Sequence, residues 1–103
     1  MQLQHYPIEK LKAELLTSVQ AEVGQKKFSL FFFGSRVKGT ATERADIDVG
    51  FLADKQLDSA VKWRIKERID EIPTLYKIDF VDFGSVDEDF RKLAMQKTEV
   101  IYG

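Results

Sequence analysis

Two aspartates separated by a single residue are the first groups in this chain that could do chemistry. In the stretch 45–52, ADIDVGFL, apolar positions alternate with Asp46, Asp48 and Gly50, which predicts a strand with both acids on one face. Their Cβ atoms would lie roughly 6–7 Å apart, because a strand rises about 3.3 Å per residue. Short, stiff carboxylates suit a hard cation such as Mg²⁺, and Gly50 is expected to leave open space beside them. An isolated pair of this kind also fits a plain, solvent-exposed strand face.

A Gly-Ser turn upstream could supply the other half of such a site. The segment 28–33, FSLFFF, is short and almost wholly apolar, which predicts a strand buried on both faces at the centre of a sheet. Gly34 and Ser35 follow it and lead into one or two helical turns that end at Gly39. Backbone N–H groups and a hydroxyl at such a turn can bind phosphate, although Gly-Ser after a strand, taken alone, is most often a turn with no ligand. Nearby positive charges, each of which also fits a surface role, are Arg36, Lys38 and Arg44.

A third acid interrupts another apolar segment, 77–83. Asp79 stands between two apolar residues that point to the opposite face, and a carboxylate there costs free energy unless it is paired, bound to a ligand or at the end of the sheet. If this strand lies beside the first acidic strand, Asp79 completes a three-carboxylate cluster. Asp82 is at odd separation from Asp79 and is expected to be a surface acid at the strand end.

The remaining segments complete an α+β domain. Apolar residues recur at helical spacing over 8–24 and 58–72, and Pro73 ends the second helix. Ser85 and Glu88 form a capping-box pattern that opens a last helix, and 99–102 is predicted as a short edge strand. The alternation of helices and strands predicts a mixed β-sheet flanked by helices, built as a single domain over 1–103.

Composition excludes several classes of function. Sixteen Lys and Arg balance seventeen Asp and Glu to a net charge of −1, so no general attraction to nucleic acid is expected. The chain has no cysteine, which fits a reducing cytoplasm, and no apolar run approaches the ~18 residues of a membrane span.

The lone histidine, His5, is expected at the surface. Trp63 fits either a helix flank or a partner-binding face.

Taken together, these residues resemble the signature of the polymerase-beta-like nucleotidyltransferase superfamily. The resemblance rests on Phe33-Gly34-Ser35, ten intervening residues, Asp46-Ile47-Asp48, and later Ile78-Asp79-Phe80. The short length, Arg36, Gly39 and the terminal residues 100–103 are most similar to the minimal nucleotidyltransferase (MNT) branch. Ala45 departs from the serine common at that position. Members of this branch are often the antitoxin of a pair with a helical HEPN-domain protein.

The resemblance implies a mechanism and its site residues. Asp46 and Asp48 would hold two Mg²⁺ ions, and Asp79 would share one ion and help draw a proton from an acceptor hydroxyl. Gly34, Ser35 and Arg36 would bind the phosphates of a nucleoside triphosphate, most simply ATP, and AMP would pass to the partner protein. This implies a cytoplasmic enzyme that binds neither membrane nor nucleic acid directly, and it leaves a homo-oligomer open.

Two other functions fit the same residues. The chain could be a non-catalytic module that neutralises a helical partner by docking, because it has no acceptor pocket of its own in sequence. It could also transfer a nucleotide to a small molecule such as an antibiotic, although no segment resembles an added substrate domain.

Overall fold

A computed structural model describes residues 1–42 and 44–103 as one four-stranded sheet with helices on both faces. The predicted fold class is confirmed. The elements in chain order are α1 (Ile8–Val23), β1 (Ser29–Phe33), α2 (Ser35–Lys38), β2 (Ile47–Leu52), α3 (Ser59–Asp70), β3 (Ile78–Asp82), α4 (Glu88–Ala94) and β4 (Glu99–Tyr102).

The sheet is mixed, in the order β3-β2-β1-β4. Strand β1 pairs antiparallel with both β2 and β4, whereas β2 and β3 run parallel and are joined through α3. The central position of β1 matches its almost wholly apolar sequence, because a strand between two neighbours under helices is shielded on both faces. The short segment at the end of the described chain forms the predicted edge strand, β4.

One face of the sheet packs against α1 and α3, and most of the core lies there. The strand side chains buried on this face include Leu30, Phe32 and Val49. Apolar helix residues that recur every three or four positions cover them: Leu11, Leu15, Val19, Ile65 and Ile69. This spacing places one side of each helix on the sheet.

The opposite face carries a smaller cluster of aromatic rings beneath α4. Phe31 and Phe33 each meet Phe83 edge to face, with ring centroids 5.0 Å apart in both pairs. A Cβ on Gly50 would lie 2.4 Å from the Phe31 ring and 2.8 Å from the Phe83 ring. The expected open space beside the acidic pair is therefore wrong at Gly50, because the two phenyl rings fill it.

Helix α4 begins differently from the capping-box prediction, which is wrong. Asp87 is the N-cap residue, and its carboxylate accepts a hydrogen bond from the Phe90 N–H at 2.8 Å. The Ser85 hydroxyl instead donates to the Asp82 carbonyl and closes the turn after β3. Of the apolar residues predicted for this helix, Ala94 is buried, while Phe90 and Leu93 are exposed.

Asp82 is buried, contrary to the surface position expected for it. It lies at the end of β3 with 2% of its surface exposed. Its carboxylate accepts hydrogen bonds from the N–H groups of Leu57 at 2.7 Å and Gly84 at 2.9 Å. A buried carboxylate is tolerated when backbone donors satisfy it, so Asp82 holds together the loops that follow β2 and β3.

Replacement of Asp82 by alanine should therefore destabilise the fold. Two backbone N–H groups lose the buried carboxylate that accepts from them, and we expect the free energy of unfolding to fall by about 2–4 kcal/mol. Urea unfolding followed by circular dichroism measures this loss. The matched control is Asp79→Ala on the same strand, where the exposed side chain should leave stability within about 1 kcal/mol. Equal losses at the two positions would contradict the role of Asp82.

No helix in residues 1–42 and 44–103 is long and apolar enough to cross a bilayer.

Candidate active site

Three strand ends meet at one end of the sheet and bring the predicted site residues together. Because β1 and β2 are antiparallel, the last residue of β1, Phe33, pairs with Asp48 near the start of β2. Because β2 and β3 are parallel, Asp48 also pairs with Asp79 near the start of β3. Residues paired across a ladder project to the same face, so Asp48 and Asp79 are neighbours on the face that carries α4. The Gly34 turn leaves β1 at the same end.

Gly34 and Asp48 are in direct contact. Gly34 has φ 83° and ψ −161°, a backbone conformation open to glycine alone. A Cβ added to Gly34 would lie 2.2 Å from Oδ2 of Asp48. The glycine therefore lets the turn approach the carboxylate, and it joins the predicted phosphate turn to the predicted metal-binding strand.

The surroundings of Asp48 disfavour its ionised form. Partial burial is the largest cause, followed by the negative charges of Asp79 and then Asp46, and together they raise the pKa of Asp48 to about 6. Both neighbouring acids are thus close enough to repel it. A cation bound among the three carboxylates would remove this repulsion, and carboxylate oxygens are the ligands that Mg²⁺ prefers. The donor set fits a divalent cation.

This pKa predicts a pH dependence of stability. Between an unfolded pKa of about 3.9 and a folded value of about 6, the folded chain binds more protons than the unfolded chain. The contribution of Asp48 to the free energy of unfolding should therefore fall as pH rises from 4 to 7. We expect a change of about 1–2 kcal/mol, reduced from the full shift by solvent screening.

Urea unfolding in EDTA at pH 5 and pH 7 measures this change. The Asp48→Asn variant should lose it, so the wild-type minus variant difference isolates Asp48 from the other carboxylates. The same pH dependence in both proteins would contradict the assignment.

Asp46 lies immediately before β2 and takes part in a different contact. Its Oδ2 is 3.8 Å from the Lys77 ammonium, at the segment that leads into β3. In the described residues, no three acidic, histidine or cysteine side chains are arranged as a ready-made metal centre. The three acids therefore form one electrostatic cluster whose side chains must turn inward to share a cation.

The predicted phosphate-binding residues differ in how they are held. Ser35 opens α2 beside Gly34, so its hydroxyl lies at the same end of the sheet as the acids. Arg36 instead directs its guanidinium toward the loops before β2 and β3: its Nε donates to the Ala45 carbonyl at 2.9 Å, and its Cζ lies 4.9 Å from the centre of the Tyr76 ring.

Sequence reasoning missed Tyr76 and Lys77, whose only signal was their position just before β3. The two residues considered for other roles, His5 and Trp63, are both exposed. His5 is exposed, and its backbone N–H donates to the Tyr76 hydroxyl at 3.2 Å. Trp63 on α3 has 64% of its surface exposed, so it does not pack into the flank of that helix.

A match to a protein-family model shows which family this chain belongs to. The model described as "Polymerase beta, Nucleotidyltransferase" matches residues 13–103, which include all three strand ends of the site. The chain belongs to the polymerase-beta nucleotidyltransferase family. The predicted family is confirmed, and with it the assignment of the chain as a nucleotidyltransferase.

A curated relative places this nucleotidyltransferase close to the MNT branch. The "Probable protein adenylyltransferase MntA" of Haemophilus influenzae is 31% identical over 93 residues, which cover 88% of this chain and 82% of the relative.

Solved structures agree in fold. The "toxin-antitoxin with AMP-PNP" crystal structure superposes with a TM-score of 0.72 at 20% identity, over 89% of this nucleotidyltransferase and 73% of that chain. A structure of "tri-AMPylated Shewanella oneidensis HEPN toxin in complex with MNT antitoxin" gives a TM-score of 0.68 at 17% identity, over 92% and 71%. At these identities the likeness establishes the fold.

Proposed function

We propose that this chain is a Mg²⁺-dependent nucleotidyltransferase that moves AMP from ATP to a hydroxyl of a partner protein, and that it acts as the antitoxin of a toxin-antitoxin pair. The observation that carries the proposal is the contact of Gly34 with Asp48, since it joins a phosphate turn to a cluster of three carboxylates. The name of the Haemophilus relative and the AMPylated toxin bound to a structural relative support the same chemistry.

The site residues divide the work between nucleotide and acceptor. Asp46, Asp48 and Asp79 would hold Mg²⁺, which when bound neutralises charge on the attacking and leaving oxygens. The backbone N–H groups of the Gly34 turn and the Ser35 hydroxyl would donate to the β- and γ-phosphates. Asp79 is exposed, so an acceptor from another molecule can reach it.

The reaction is an in-line displacement at the α-phosphate. The acceptor oxygen forms a bond to the α-phosphorus as the bond from that phosphorus to the bridging oxygen of the β-phosphate breaks, and pyrophosphate leaves. The acceptor proton moves to the Asp79 carboxylate. Positioning supplies most of the rate in such a transfer, so a chain of 103 residues can carry it out when the partner provides the acceptor.

The partner would be a helical HEPN-domain protein. The pairing is argued from the two toxin-antitoxin structures that share this fold, and the place of action would be the cytoplasm. The near-zero net charge gives no general attraction to nucleic acid, so the protein partner is the expected acceptor.

Two differently labelled samples of ATP test the proposal. With Mg²⁺ and a HEPN-domain partner protein, label in the α-phosphate should appear on the partner, and label in the γ-phosphate should leave as pyrophosphate. Label from the γ-position on the partner would show phosphoryl transfer and contradict the proposal. Transfer of neither label would also contradict it.

A second function, neutralisation of the partner protein by docking alone, is favoured by an exposed apolar patch on the face that carries α4. Phe90, Leu93, Met95 and Val100 are all substantially exposed. Val100 pairs with Phe31 in the sheet, so it lies on the acidic face, and the ring centres of Phe90 and Phe33 are 6.3 Å apart. An acceptor protein that reaches Asp79 would cover part of this face.

The two functions differ in their need for the carboxylates. A chain with asparagine at positions 46, 48 and 79 should still bind the partner but fail to protect cells from it if chemistry is required. Full protection by this triple variant would favour docking instead.

A further inference from the structure

Arg36 connects the three segments that carry the candidate site. It lies in α2, one residue after Ser35. Its Nε–H donates to the carbonyl of Ala45, the residue immediately before Asp46, at 2.9 Å. Its guanidinium also lies over the ring of Tyr76, with Cζ 4.9 Å from the ring centre.

Each of these contacts reaches a segment that leads into an acidic strand. Ala45 immediately precedes Asp46 and so sets the position of its backbone, and Tyr76 lies three residues before Asp79. Asp46 is further tied to the Tyr76 segment through Lys77, at 3.8 Å. One side chain therefore links the phosphate turn to the loops before β2 and before β3.

We propose that Arg36 is a positioning residue, which sets the spacing between the Gly34 turn and the acids Asp46 and Asp79, rather than a ligand of the phosphates. This inference rests on the proposed function. It replaces the phosphate-binding role that the family resemblance implied for Arg36. The side chain reaches the segments before β2 and β3, and its Nε–H donates to a carbonyl of the chain itself.

The two contacts call for arginine in particular. The bond to Ala45 uses a directional N–H that belongs to the planar guanidinium, and the same group lies over the face of the Tyr76 ring. A lysine keeps the positive charge but has neither the Nε–H nor the plane. A phosphate ligand, in contrast, can be a lysine, which binds phosphate as a point charge.

Steady-state kinetics of Arg36→Lys and Arg36→Met separate the two roles. If Arg36 positions Asp46, both variants should lose about 100-fold in kcat with KM for ATP changed less than about threefold, because a displacement of about 1 Å is enough to cause such a loss. If Arg36 binds phosphate, the lysine variant should keep kcat and the methionine variant should raise KM, and this pattern would overturn the proposal.

The matched control is Arg64→Lys. Arg64 also uses its Nε, which donates to Glu22 at 2.6 Å, but it joins α3 to α1 away from the acids. This variant should retain wild-type kcat and KM. A loss equal to that of Arg36→Lys would show that any such exchange disturbs the chain, and it would overturn the assignment.

A double-mutant cycle tests whether Arg36 acts through Tyr76. Tyr76→Leu removes the ring and should lower kcat, whereas Tyr76→Phe keeps the ring face and should lower it far less. Combined with Arg36→Met, Tyr76→Leu should add less than threefold to the loss, since the contact is already broken. Full multiplication of the two losses would show that the residues act independently and would contradict the proposal.

Mn²⁺ binding gives a readout that needs no turnover. Electron paramagnetic resonance of free Mn²⁺, with a non-hydrolysable ATP analogue present, should show that Arg36→Lys weakens Mn²⁺ binding about tenfold while the Arg64→Lys control does not. Unchanged Mn²⁺ binding in Arg36→Lys would overturn the positioning role. If wild type binds Mn²⁺ but transfers no label, the proposed function fails and this measurement still tests Arg36.

Discussion

Replacement of Gly34 by alanine is expected to reduce nucleotidyl transfer by at least about 100-fold and to destabilise the chain. Its backbone angles, φ 83° and ψ −161°, cost a residue with a side chain about 1–3 kcal/mol. The new Cβ would also lie 2.2 Å from Oδ2 of Asp48, so either the turn or the carboxylate must move. A shift of about 1 Å at a reacting centre is enough for the loss of rate.

Gly24 provides the matched control for this change. Its angles are similar, φ 67° and ψ −135°, but beyond its two chain neighbours no described residue has an atom within 4 Å of an added Cβ. Gly24→Ala should therefore show the backbone cost alone, with transfer preserved. The comparison requires thermal unfolding and label transfer for both variants. Equal effects on stability and transfer would mean that the contact between Gly34 and Asp48 has no special importance.

Replacement of Asp48 by asparagine is expected to have opposite effects on activity and stability. Loss of a carboxylate that we propose as a metal ligand should remove several kcal/mol of transition-state stabilisation, or about 1,000-fold in rate. In EDTA at pH 7.5, however, the variant should be more stable than wild type by about 1–2 kcal/mol, because the carboxylate that burial and two neighbouring acids disfavour is gone.

The outcome is read from label transfer and from urea unfolding without divalent cations. Asp70→Asn, an exposed carboxylate at the end of α3, is the control and should change neither quantity. A variant at position 48 that is both inactive and less stable than wild type would indicate a structural role for Asp48. Stabilisation together with inactivity is typical of a site residue kept for function.

Sequence periodicity was sufficient to predict the elements and the face that carries the acids. The alternation in 45–52 places Asp48 on the face opposite Ile47, Val49 and Phe51, and the structure confirms that these three side chains are buried. The proximity of Asp48 to Asp79 required one further fact, the parallel pairing of β2 with β3. Chain order does not determine which strands are neighbours. The sequence therefore predicts the three-carboxylate cluster only on the condition that these two strands are adjacent.

The errors at Asp82 and Gly50 involve partners distant in sequence, whereas the error at α4 is local. Asp82 is buried because its carboxylate accepts from Leu57, 25 residues away, and no local pattern reveals that bond. The space beside Gly50 is filled by the phenyl rings of Phe31, on β1, and Phe83, just after β3. The residue type alone suggested that this space was open. At α4, both Ser85 and Asp87 are good N-cap residues, and the turn at Asp82 determines which one is used.

The orientation of Arg36 is another such case. A positive charge one residue after a phosphate-type turn suggests a phosphate ligand, yet its guanidinium lies between Ala45 and Tyr76. The position of Tyr76 depends on the path of the loop between α3 and β3, which the sequence marks only with Pro73. Long side chains at functional sites are the hardest to place from sequence, because several directions are open to them.

A crystal structure with Mn²⁺ and a non-hydrolysable ATP analogue, with manganese located by anomalous scattering, tests the central claim most directly. We predict manganese peaks bounded by the carboxylates of Asp46, Asp48 and Asp79, with the triphosphate against Gly34 and Ser35. Manganese or triphosphate bound elsewhere on the chain, with these carboxylates left in their present positions, would contradict the account.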